Sequence, residues 1–121
     1  MKKNTTIESV ISNLKRVSGL TVEVKTSFLV NDTPYRNEDG YVVYPEKSIE
    51  GILVILLDDT GEERPRVVRQ VAFDISGNHY RFCGSCQYGP IFELTPKDGY
   101  DGFTALEAIE LVRLRDAIIA V

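Results

Sequence analysis

The stretch HYRFCGSCQYGP, residues 79–90, holds the only histidine of the chain and both of its cysteines. An imidazole and two thiolates can hold a metal ion, and a C-x-x-C pair can cycle between dithiol and disulfide. Structural zinc is held by four ligands, each about 2.0–2.3 Å from the metal. Only His79, Cys83 and Cys86 stand here. Along a strand, at about 3.3 Å per residue, His79 and Cys83 would lie roughly 13 Å apart. No metal is therefore expected. A redox couple of the thioredoxin kind sets its first cysteine at a helix N-terminus, where the dipole favours the thiolate. The next residues, QYGPIFEL, carry Gly89-Pro90 and strand-forming side chains instead, which leaves Cys83 and Cys86 as redox candidates without an activating element.

The reading favoured for the pair is a tight turn. Gly84-Ser85 suits a two-residue hairpin loop with glycine first, setting Cys83 across from Cys86 with Cα atoms about 5.5 Å apart, within disulfide reach. A bulge near Gly89-Pro90 would then turn Phe92 and Leu94 inward. His79 becomes a solvent-facing residue beside a turn, and no Ser-His-Asp or Cys-His system can be assembled without it. Neither G-x-G-x-x-G nor a P-loop occurs. The acids Asp58, Asp59, Glu62 and Glu63 lack the central glycine of an EF-hand loop and read as a solvated loop. No cofactor is implied.

The elements that position these residues follow from periodicity. Thr5 with Glu8 reads as a capping box, followed by Ile7, Val10, Ile11, Leu14 and Val17 at helical spacing and Gly19 as the left-handed stop. Residues 20–30 alternate, with Leu20, Val22, Val24, Thr26, Phe28 and Val30 on one face. Residues 31–40 are turn-forming, and 48–59 form a strand whose ILVILL centre is apolar on both faces. Gly77-Asn78 reads as a hairpin turn pairing Ser76 with His79, Ile75 with Tyr80, Asp74 with Arg81 and Phe73 with Phe82. Thr104 with Glu107 caps a broadly apolar last helix, with Phe103 as a staple. The expectation is one α+β domain over 1–121. An N-terminal helix, a mostly antiparallel sheet of four to six strands in consecutive hairpins and a C-terminal helix follow in order, with both helices on one sheet face.

Totals narrow the function. The 121 residues carry a net charge of −4 and a pI near 5.0, without the basic stripe that nucleic-acid binding needs. The longest apolar run is six residues, far short of a membrane span, and MKKNTTIESV has no signal-peptide core. A cytoplasmic protein is expected, with no nucleic-acid or membrane partner.

Two one-sided helices cover one sheet face, while ILVILL offers side chains to both, so something must cover the other: the 31–48 loop, a second copy in a homodimer, or another protein. Tyrosines bury much area at small entropic cost, and several fall in loops. Tyr35, Tyr41, Arg81 and Tyr88 are therefore candidate binding residues of a small, non-catalytic, inhibitor- or immunity-like interaction module. Alanine at Tyr35, Tyr41 and Arg81 is expected to weaken binding. The alternative is a small ligand-binding domain or a thiol-dependent enzyme built on the CGSC turn.

Overall fold

The computed structural model describes residues 6–61, 63–96 and 99–120. In order they form α1 (Ile7–Ser18), β1 (Thr21–Asn31), β2 (Tyr35–Arg36), β3 (Val42–Val43), β4 (Glu46–Asp58), β5 (Arg66–Asp74), β6 (His79–Cys86), β7 (Gly89–Leu94) and α2 (Ala105–Ile119). The protein is α+β, with two terminal helices around a sheet core. That sheet does not lie open as expected: β1-β4-β5-β6-β7 close into a five-stranded barrel, and β2 and β3 form a separate two-stranded arm. Closure is made by a short parallel contact, Leu29↔Ile91 and Val30↔Phe92, between β1 and β7. The other barrel contacts are antiparallel.

Closure explains why ILVILL is apolar on both faces. Val54 and Leu56 join Val22, Val71 and Phe73 in a core shared with Val10 and Leu14 of α1 and Leu111 and Leu114 of α2. Leu53, Ile55 and Leu57 face the other way, into a core with Phe28, Val30, Ala72 and Phe92 inside the barrel. The second sheet face is thus covered in part by the β6–β7 hairpin curling back onto β1. Burying each large apolar side chain stabilises the fold by about 1.5–3 kcal/mol, so two cores are the dominant stabilising term.

A bulge opposite β1 serves both cores. The β1–β4 register shifts between Lys25 and Ser27, where Gly51 and Ile52 of β4 stand opposite Thr26 alone. Val22 consequently packs under the helices, while Phe28 and Val30 enter the barrel. Strict alternation, which set all six residues on one face, misses this reversal.

The helix signals are met at both ends. The expected capping residue Thr5 lies outside the described residues. The N-cap is Thr6, whose hydroxyl accepts from the Ser9 amide at 3.0 Å, and Gly19 closes α1 with φ 70° and a bond to the Lys15 carbonyl. Thr104 and Glu107 form the capping box of α2 reciprocally, at 3.1 and 3.0 Å.

Both hairpins turn elsewhere than expected. Phe73 pairs with His79, Ala72 with Tyr80 and Val71 with Arg81, three residues out of the expected register. The cause is Asp74. Its carboxylate accepts from the Ser76 amide, the Asn78 amide and side chain, and the Tyr80 hydroxyl, at 2.9–3.1 Å. These bonds make a wider loop than a Gly-Asn turn. An odd slip exchanges faces, so His79 points toward the helices. The second turn is Gln87-Tyr88, with Cys86 opposite Gly89, and the bulge falls between Phe82 and Gly84 rather than at Gly89-Pro90. Phe92 is buried as expected, whereas Leu94 stays 63% exposed.

Gly51, opposite Asp74 in β4, is required by close approach. A Cβ there would overlap the Phe73 carbonyl oxygen and stand 2.9 Å from the Asp74 Cα. Gly51→Ala is expected to destabilise by about 1–3 kcal/mol or more, because backbone must move; urea denaturation checks it.

Candidate functional site

The two long ladders of the barrel differ from its seams. Eight residue pairs join β4 to β5; only Val71–Arg81, Ala72–Tyr80 and Phe73–His79 join β5 to β6. Beyond Val71, the two strands part. A shift in the β4–β5 register falls between Leu56 and Leu57, opposite Arg69 and Val67, which leaves Val68 as the extra residue of β5. Cys83 is the extra residue of β6. Bulges bend strands and increase their twist. Lying close to the last pair on either strand, these bulges account for the splay. Arg66–Gln70 and Phe82–Cys86 therefore face each other without pairing, and two strand edges border an opening.

The opening is a groove of about 940 Å³ lined by β5, β6 and the segment leading to α2. Val67, Val68 and Phe82 are exposed in it at 48%, 36% and 47%, with Phe103 and Pro96 on the helix side. A second cavity of about 690 Å³ occupies the barrel mouth, against Phe28, Leu53, Ile55 and Tyr88. Val67 and Gln70 line both.

The polar groups of the groove are held by ion pairs. Arg69 donates to the Glu107 carboxylate at 2.6 Å, with Glu107 fully buried, and its guanidinium lies 5.8 Å above the Phe103 ring. The Arg69 Nε is buried and has no acceptor among the described residues. Arg81 pairs with Glu93 across the β6–β7 ladder at 2.7 Å.

His79 closes one end of the groove and is buried, contrary to the solvent-facing position expected. It is stacked between Phe73 and Tyr100, at 5.4 and 4.6 Å, with Nδ1 2.9 Å from the Thr95 hydroxyl. Burial lowers its pKa from the ordinary 6.5; a backbone hydrogen bond with Pro96 opposes this and the nearby Arg115 charge adds to it. The unfolded chain therefore binds the proton at a higher pH than the folded one, and stability must fall as pH drops through 6.5. Urea midpoints are expected to be flat above about pH 7.5 and to decline between about pH 7 and 5. His79→Phe should remove that decline.

The Cys83 thiol is not activated. Burial and then the Glu93 charge push the Cys83 pKa up, against a smaller opposite effect of Arg81. Cys83 donates to the Ile91 carbonyl and Cys86 accepts from the Tyr88 amide, each at 3.4 Å. Both are free. They lie three residues apart along one strand, roughly 10 Å at about 3.3 Å per residue, rather than across a turn. With no turn at Gly84-Ser85, the geometry for a disulfide is lost. Among the described residues, no group of three or more His, Cys, Asp or Glu is placed to hold a metal.

The four candidate binding residues are not brought to one place. Arg81 lines the groove and Tyr88 the barrel mouth. Tyr35 and Tyr41 belong to the β2–β3 arm, 55% and 72% exposed, in a loop whose Asn37 side chain accepts from the Asp39 and Tyr41 amides. Val67, Val68, Arg69 and Phe82 were missed as site residues. For the first three the signal is RVVR following Pro65, two adjacent valines in a strand where one would be expected to face water.

No family model matches the chain, and no curated protein or solved structure matches it.

Proposed function

We propose that the chain is a non-catalytic interaction module that binds another protein at the groove between β5 and β6. The observation that carries this reading is the parted seam, where Val67, Val68 and Phe82 stand exposed between two strand edges. Contiguous exposed apolar surface marks interaction sites, and unpaired edges invite a further strand. The raised Cys83 pKa and the enclosed His79 give a thiol-dependent enzyme little to work with. The tyrosine arm is a second, weaker contact. No helix among the described residues is long and apolar enough to cross a membrane.

The test compares partner capture by the wild type and by surface variants, with cross-links located by mass spectrometry. Val68→Ser, Arg81→Ala and Phe82→Ser are expected to cut recovery of cross-linked partner at least about tenfold, equivalent to about 1.4 kcal/mol, with unchanged thermal midpoints. Tyr35→Ala and Tyr41→Ala are expected to cut it less. Recovery unaffected by all five variants would remove the groove and the arm together.

A further inference from the structure

The groove offers more than apolar surface, and its geometry specifies the kind of segment that a protein partner would place there. Among the described residues, the backbone groups of Arg66–Gln70 that do not face β4 have no partner strand, because β6 has turned away. Unpaired donors and acceptors in a row are satisfied by another extended backbone, which is the basis of recognition by strand addition. Five residues at about 3.4 Å give roughly 17 Å of free edge, enough for a short segment. The side chains of an added strand alternate between two faces, and the seam has a cavity on each. One set would enter the 940 Å³ groove against Phe103 and Pro96, the other the 690 Å³ barrel mouth against Phe28, Leu53 and Ile55. Val67 and Gln70, common to both cavities, stand where the faces divide.

Charge selects further. Among the described residues, two guanidiniums, Arg69 and Arg81, and one carboxylate, Asp101, line the groove. Glu107 and Glu93 each engage one of the arginines, yet the Arg81 side chain is 64% exposed. An acidic side chain arriving here would meet the solvent-facing Arg81 guanidinium; a basic one would meet two like charges.

We propose, resting on the interaction reading of the groove, that the occupant is an extended segment of a partner polypeptide. It is apolar at alternate positions, carries an acidic residue, and adds as a strand to the open edge of β5 in the seam between β5 and β6.

A synthetic library of ten-residue peptides, screened against the intact protein by affinity selection, tests this. Selected peptides are expected to alternate apolar residues and to include Asp or Glu. Binding should slow hydrogen exchange of the Arg66–Gln70 amides. N-methylation at alternate backbone amides, or exchange of the acid for lysine, should each weaken binding at least about tenfold. Affinity indifferent to N-methylation, or binding without protection at 66–70, would overturn strand addition. If no peptide binds but Phe82→Ser still abolishes partner capture, strand addition fails and the interaction reading stands. If neither peptides nor the Phe82 variant respond, both fail.

Discussion

Glu107→Ala is expected to destabilise the protein by about 3–5 kcal/mol, the cost of leaving a buried charge without its partner. Glu107 is 1% exposed and does two things. One carboxylate oxygen accepts from the Thr104 amide and completes the capping box of α2; the other accepts from Arg69 at 2.6 Å. Alanine removes the acceptor of an orphan helix amide, and it leaves the Arg69 guanidinium partly enclosed beside Phe103 with neither its Nη2 nor its Nε bonded. Glu107→Gln keeps an acceptor for the cap and loses only the charge, so it should fall between wild type and alanine. Urea denaturation of the three proteins measures the series. A loss under about 1 kcal/mol for alanine, the range of a surface pair, would mean that the pair is solvated and does not brace the groove wall.

The second large effect is expected from Phe73→Ala, at about 3–5 kcal/mol for removing a buried aromatic ring. Phe73 is wholly buried in the core between helices and barrel. It pairs with Ile52 on one side and His79 on the other, and stacks on the His79 ring. It thus anchors the last β5–β6 pair before the turn. Emptying the site lets water reach His79, so the acid-dependent loss of stability that His79 causes should shrink in the same variant. Urea midpoints at pH 7.5 and 5.5 measure both effects. A stability loss with the pH dependence unchanged would mean that Phe73 does not shield the histidine.

The sequence carried the local structure better than the long-range geometry. Both helices, the left-handed stop at Gly19 and the box at Thr104 and Glu107 follow from residue types a few positions apart. What escaped depends on single residues that alter register. Asp74 widened a turn by collecting four hydrogen bonds, and that slip reversed the face of His79. Bulges in β4, β5 and β6 shift register where alternation gives no warning, yet they let the sheet serve two cores and part the seam. The doubly apolar ILVILL did announce that both faces of β4 would be covered. A closing hairpin supplied part of that cover, which periodicity alone does not distinguish from a partner. Arg81 and Tyr88 were legible as candidates, and fall at the groove and the barrel mouth; Val68 had a signal in its adjacent valine, whereas Phe82 depends on the parting of the strands.

Residue-resolved hydrogen exchange of the free protein is the most direct measurement of the parted seam. The amides of Val71–Phe73 and of the β4–β5 ladder should be protected, while the amides of Arg66–Gln70 that do not bond to β4 exchange quickly, as groups open to water do. Uniform protection along β5 from Arg66 to Asp74 would mean that β6 pairs with it throughout, and that no groove exists for a partner to enter.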